Sequence, residues 1–82
     1  MPPTDHEVTL LGRAGCHLCE VARGEIERIC RELGVPWREL DVDADPELRA
    51  EYGDRVPVTL VDGAEHDYFD VSEKRLRAAL AR

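Results

Sequence analysis

The chain has 82 residues, 43% of them hydrophobic, with 11 Lys and Arg against 18 Asp and Glu for a formal charge of −7. That is one domain with a modest core, and with only four aromatic residues the core must be filled by Val, Leu, Ile and Ala. The negative charge argues against nucleic acid or anionic membrane as a partner, and no apolar run approaches the ~20 residues that a membrane span needs.

Residues 1–6 are polar and turn-prone, lack the basic and apolar regions of a signal peptide, and are expected to form a flexible leader to a single domain over 7–82. Glu7-Val8-Thr9-Leu10-Leu11 is an apolar run of strand length, followed by Gly12-Arg13-Ala14-Gly15 as a turn. Leu18, Ala22, Ile26, Ile29, Cys30 and Leu33 then recur at helical spacing, which predicts a helix over about 17–33 with one buried face. Gly34 stops it, and Pro36 prevents its resumption. Trp37 to Val42 alternates polar and apolar residues as an edge strand, and Asp45-Pro46 opens a short helix that ends at Gly53. Val56-Pro57-Val58-Thr59-Leu60-Val61 is the run of a buried strand with Pro57 near its start. Asp62-Gly63 predicts a hairpin and a returning strand from Ala64 to Phe69. Asp70 and Glu73 are spaced for a capping box, with Leu76, Ala79 and Leu80 as the buried stripe of a last helix.

The chemistry concentrates in Gly15-Cys16-His17-Leu18-Cys19. Cys16 falls at the helix start, where unpaired backbone N–H groups and the positive end of the helix dipole stabilise a thiolate. Cys19 lies one turn further in on the same side, roughly 5–6 Å away between Cβ atoms, within small adjustment of disulfide geometry. One exposed thiol and one sheltered resolving thiol form a dithiol that can cycle. His17 would tune the thiolate, and Arg13 could both do so and meet an anionic substrate. The rival reading is a metal-binding or interaction module without turnover. Zinc would need four ligands from His17, His66, Cys30 and carboxylates, with no second CxxC or HxxxH pattern present. Cys30 lies about 16 Å from Cys19 along the helix and reads as a buried structural thiol. His6 and His66 read as surface residues. Asp41-Val42-Asp43-Ala44-Asp45 opens like a calcium loop, but Pro46 stands at the required glycine and Tyr52 at the required glutamate.

Gly12 to Cys19, followed by Arg55-Val56-Pro57-Val58 and Asp62-Gly63, resembles the small bacterial glutaredoxin-like proteins of the thioredoxin superfamily over roughly residues 7–81. The resemblance implies an α/β thioredoxin-like fold of three layers, a four-stranded mixed sheet with three helices in the order βαβαββα. It implies a thiol–disulfide oxidoreductase in which Cys16 is the nucleophile and Cys19 the resolving thiol. It also implies that Val56-Pro57 is a cis peptide facing the cysteines, that the Val56 backbone pairs with the bound thiol substrate, and that Pro57 packs beside the disulfide. The substrate would be a disulfide-containing protein or a small thiol, with a cellular reductant restoring the pair and no tightly bound cofactor. Glutathione is one candidate reductant. However, the His17-Leu18 spacer departs from the Pro-Tyr type, and His66-Asp67-Tyr68-Phe69-Asp70 replaces a Gly-Gly-x-Asp run that helps hold glutathione. Asp67 is expected to repel its carboxylates, so glutathione should bind weakly and a protein partner better. The expected location is cytoplasmic, where closely spaced cysteines are more often catalytic or metal-binding than structural.

Overall fold

The computed structural model describes residues 5–82. Four strands, β1 (Val8–Gly12), β2 (Trp37–Asp41), β3 (Val58–Val61) and β4 (Ala64–Tyr68), alternate with three helices, α1 (His17–Leu33), α2 (Pro46–Tyr52) and α3 (Glu73–Leu80). The sheet order is β2-β1-β3-β4, with β1 and β2 parallel and the other pairs antiparallel. This is the mixed sheet with flanking helices of the thioredoxin-like fold. Residues 1–4 of the expected leader lie outside the described residues.

Alternation along β1 divides the core. Val8 and Leu10 face α1 and α3, where they join Ala22, Ile26, Ile29, Cys30, Leu76 and Leu80. Leu11 points the other way, packing with Val42 and Val58 beneath Leu40, Leu48, Tyr52 and Val56. All five residues of β1 are buried, as its central place in the sheet requires. Its neighbour β2 is an edge strand with mostly exposed side chains.

Local chemistry sets most of the boundaries. Gly34 takes up a left-handed conformation (φ 69°) after α1, and the Val35 N–H donates to the Cys30 carbonyl at 2.9 Å. Asp45 caps α2 by accepting from the Glu47 and Leu48 N–H groups at 2.9 and 3.4 Å, with Pro46 at the first helical position. Asp62 and Gly63 both have positive φ, 55° and 85°, as the turn between β3 and β4 demands.

Several boundaries differ from the sequence expectation. Gly12 belongs to β1 rather than to the following turn. A single 3-10 turn over Val42–Ala44 follows β2. β3 starts at Val58, not Val56, since proline has no N–H to give the ladder; the Pro57 carbonyl instead accepts from the Phe69 N–H at 2.7 Å. Phe69 has φ 64°, which takes it out of β4. The Asp70–Glu73 capping box does not form. Ser72 is the cap of α3, accepting from the Arg75 N–H at 3.3 Å, and Glu73 is turned toward α1.

His6 and His66 are not simple surface residues. His6 sets Nδ1 2.6 Å from Asp62 Oδ2 and Nε2 3.0 Å from the Arg82 carbonyl, so both nitrogens meet acceptors and Asp62 raises its pKa above the ordinary value. Among the described residues the Nε2 atom of His66 is buried without a hydrogen-bond partner, and burial lowers the pKa of that ring.

Glu73 ties α3 to α1. It accepts from Arg28 Nη2 at 2.9 Å and from Arg77 Nε at 2.8 Å, and these bonds lower its carboxyl pKa from 4.5 to about 2. A lowered folded-state pKa adds stability above the unfolded value that is lost as pH falls through the folded one. The Glu73→Gln variant should therefore melt a few degrees at most below the parent at neutral pH, the pair being partly solvated. Thermal melts over acid pH should show that gap closing as pH falls from about 4.5 toward about 2.

Candidate active site

The site is made where α1 starts against the sheet. Cys16 is the N-cap of α1, in extended backbone conformation, and its sulfur accepts from the Cys19 N–H at 3.2 Å. A backbone N–H aimed at sulfur from the positive end of a 17-residue helix favours negative charge there once the pair is reduced. Cys16 and Cys19 lie at disulfide distance with 5.2 Å between their Cα atoms, inside the range that a disulfide spans. Gly15, with φ 74°, makes the sharp turn that brings the chain into the helix.

The two cysteines have unequal surroundings. Cys16 is half-buried at the helix tip, whereas Cys19 is fully buried. Cys19 takes the place that periodicity gave to Leu18, because the buried stripe of α1 runs Cys19, Ala22, Ile26, Ile29, Cys30. Leu18 is turned outward and is 50% exposed. Gly12 makes this possible. A Cβ there would stand 3.2 Å from Cys19 Sγ and 3.3 Å from Cys19 Cβ, closer than a side chain is ordinarily accommodated. Sequence reasoning took Gly12 for a turn glycine; its place at the end of an apolar run just before the cysteine pair was the available signal of a close approach.

The remaining expected site residues divide. The His17 side chain is 85% exposed and faces Glu20, with Nδ1 3.9 Å from its carboxylate. Arg13 is engaged elsewhere: Nε and Nη2 donate to Asp43 at 3.1 and 3.0 Å, and Nη1 donates to the Gly53 carbonyl at 3.1 Å. That clamp joins the end of β1 to the turn after β2 and to α2. The Val56–Pro57 peptide is cis, Pro57 is buried, and Val56 packs in the cluster around Leu11 and Val58. The Val56 N–H and C=O have no intramolecular hydrogen bond among the described residues. Asp67 is not the free charge that sequence suggested, since its side chain is only 17% exposed and meets Arg75 at 3.3 Å.

Sequence reasoning also missed the apolar surface beside Cys19. Leu18 and Val21 of α1 and Phe69 and Val71 of the β4–α3 connection line a groove of about 190 Å³, with Glu25 and Asp70 among the other residues lining it. Tyr68 adds its ring to Phe69 in an edge contact, centroids 5.0 Å apart, and both rings are about half exposed. Separately, Gly12, Arg13, Ala14, Arg23, Glu39 and Asp41 line an open depression of about 310 Å³. Among the described residues, no group of three or more His, Cys, Asp or Glu side chains could hold a metal ion, and no helix is long and apolar enough to cross a membrane.

Comparison with known proteins agrees with this geometry. Residues 7–81 match the family described as Glutaredoxin-like domain (DUF836). Uncharacterized protein Rv0508 of Mycobacterium tuberculosis is 47% identical over 81 residues, covering 93% of this chain and 84% of the relative. Among solved structures, protein Ne2328 from Nitrosomonas europaea superposes with a TM-score of 0.81 at 25% identity, covering 92% of this chain and 91% of the other. Target protein XcR50 from X. campestris gives 0.73 at 30% identity, with 90% and 95% covered. Fasciola hepatica thioredoxin gives 0.67 at 27% identity, with 94% and 79% covered.

The difference in burial between the thiols has a direct chemical readout. In the reduced protein at neutral pH, an alkylating reagent should label Cys16 first and Cys19 more slowly. Cys30 should resist until unfolding, since burial pushes its thiol up to about 11 and removes it from solvent. Peptide mapping against time measures that order; labelling of Cys19 ahead of Cys16 would contradict the asymmetry.

Proposed function

The chain belongs to the glutaredoxin-like domain family, and from that footing we propose that it is a thiol–disulfide oxidoreductase in which Cys16 attacks and Cys19 resolves. The observation that carries this reading is the cysteine pair itself, at disulfide distance on the first turn of α1 with one member half-buried and the other sealed against Gly12. The Cys16 thiolate attacks one sulfur of a substrate disulfide. The substrate S–S bond breaks, one substrate thiolate leaves, and a mixed disulfide joins Cys16 to the other half. Cys19, deprotonated, then attacks Cys16 Sγ and expels the second substrate thiolate. Two electrons have passed to the substrate, and the protein is left with its Cys16–Cys19 disulfide. A cellular dithiol or glutathione returns it to the reduced state.

The surroundings favour a polypeptide as the partner. Among the described residues nothing pairs with the Val56 N–H and C=O at the entry to β3, which suits an extended chain laid beside it. Leu18, Val21 and Phe69 offer apolar contact next to the pair, of the kind that a folded or extended protein segment fills and a small charged tripeptide does not. Arg13, held by Asp43 and Gly53, is not free to meet a glutathione carboxylate. The expectation of weak glutathione binding thus rests on the engaged arginine and the apolar groove rather than on repulsion by Asp67.

Two experiments test this. Cys19→Ser should attack a disulfide substrate and accumulate the mixed disulfide, seen by intact mass, while Cys16→Ser should be inert. If zinc accompanies the purified protein and both thiols are silent toward disulfides, the metal-binding alternative replaces this reading. For the docking surface, the double variant Leu18→Ser, Phe69→Ser should raise KM for a disulfide-bonded polypeptide about fivefold to tenfold, as loss of half-exposed apolar contacts implies. Its rate with a small aromatic disulfide should stay near that of the parent.

A further inference from the structure

A second chain gains most from pairing with backbone that is already held in place. β3 runs antiparallel to β1 with Val58 opposite Leu11, so Val56 and Pro57 lie at the end of the sheet where Gly12 meets Cys19 and α1 begins. Two hydrogen bonds bracket Val56. The Arg55 N–H donates to the Tyr52 carbonyl at 2.9 Å, and the Phe69 N–H donates to the Pro57 carbonyl at 2.7 Å. Among the described residues, Val56 itself has no backbone partner, and the segment from Gly53 to Pro57 belongs to no helix or strand. An irregular segment of this kind must be ordered before another chain can bind along it, and that ordering is subtracted from the affinity.

Arg55 supplies that hold. Its Nη2 and Nε atoms lie 3.2 and 3.4 Å from the two carboxylate oxygens of Glu65 on β4, and Nη1 lies 3.3 Å from Asp54 Oδ1. The guanidinium carbon stands 5.6 Å from the centroid of the Tyr52 ring, at the end of α2. Tyr52 and Val56 pack in turn on the cluster of Leu11, Val42 and Val58. Glu65 is opposite Leu60 across the β3–β4 ladder, so the anchor on that side is part of the sheet. One planar group thus joins the end of α2, the approach to β3 and strand β4. An ammonium in its place would offer neither the two-pronged bond nor the stacking. With the Arg55 side chain 31% exposed, each bond adds little to stability, as half-solvated ion pairs do. What the set does is restrict the residue next to Val56.

We propose that Arg55, tied to Glu65, is a positioning residue for substrate: it holds the Val56 N–H and C=O in the orientation with which an extended, disulfide-bearing polypeptide pairs. The role rests on the dithiol reading, and Arg55 itself touches no reacting atom. Affinity is raised because the entry to β3 is ordered beforehand, so that binding does not have to order it. A small disulfide that makes no backbone pairing gains nothing from the clamp. The clamp therefore selects polypeptide substrates over small ones, by affinity and not by the rate of sulfur attack.

The test follows single-turnover oxidation of the reduced protein by an excess of insulin, a disulfide-bonded polypeptide, or of dithio-bis(nitrobenzoate), a small aromatic disulfide. The reaction is quenched with an alkylating reagent and read by intact mass. In Arg55→Gln the half-saturating insulin concentration should rise about tenfold, the scale on which one residue's backbone is left unfixed, with the maximal rate held. The preference for insulin over the small disulfide, as the ratio of second-order rate constants, should fall by the same factor. Glu65→Gln should act alike, and the double variant should add little to either single one, since each breaks the same clamp. The exchanged pair Arg55→Glu, Glu65→Arg should recover part of the loss. A half-saturating concentration unchanged in Arg55→Gln, or an equal loss toward both disulfides, would overturn the role. So would a Glu65→Gln variant that takes insulin as well as the parent or better, because the freed Arg55 would then be touching substrate itself. A parent that neither disulfide oxidises would overturn the dithiol reading and this role with it.

Discussion

The close approach of α1 to the end of β1 is the constraint from which the site follows. Gly12 is the last residue of the central strand, and its missing side chain is what lets Cys19 seat itself against the sheet. Once Cys19 is fixed there, Cys16 falls by one helical turn to the N-cap, at the exposed tip where backbone N–H groups converge. The same contact that buries one thiol therefore presents the other. A larger residue at position 12 would have to move the helix start, and with it both cysteines and the groove beside them.

Much of this was legible in the sequence because several local signals pointed to one arrangement. The span of α1, Asp45 and Pro46 opening α2, the left-handed Gly34 and the Asp62-Gly63 hairpin each have a short-range chemical cause that survives folding. What the sequence hid was mostly tertiary. Leu18 fits the apolar stripe as well as Cys19 does, and only the direction in which α1 meets the sheet decides which one is buried. Asp70 and Glu73 have capping-box spacing, yet Glu73 is drawn to Arg28 and Arg77, and Ser72 takes the cap. Ion pairing of Arg13 with Asp43 spans 30 positions, and that of Arg23 with Glu39 spans 16, separations at which no local pattern announces a partner.

The charge distribution narrows what can approach. Although acids outnumber bases by seven, the arginines nearest the cysteines are already engaged, Arg13 with Asp43 and Gly53 and Arg23 with Glu39. Neither presents an unpaired cation to an incoming anion. The apolar side chains Leu18, Val21 and Phe69 are instead the ones turned to solvent at the mouth of the groove. Phe69 reaches that position through its left-handed backbone, an uncommon conformation for a bulky residue, supported by its N–H bond to the Pro57 carbonyl. The backbone at the end of β4 thus holds an exposed ring in place, which suits contact with a partner better than it suits the stability of the free chain.

These features together separate the work of the two thiols by where each is held. The helix acts on Cys16, through the N–H that reaches its sulfur and through the dipole behind it. The sheet acts on Cys19 through the Gly12 contact. A thiol that attacks first gains from exposure and from local positive potential. A thiol that must wait for a covalent intermediate gains from shelter, since burial keeps it out of reach of incoming disulfides. The two requirements meet at one contact, because Gly12 lets Cys19 close against β1 while the helix start leaves Cys16 half-buried.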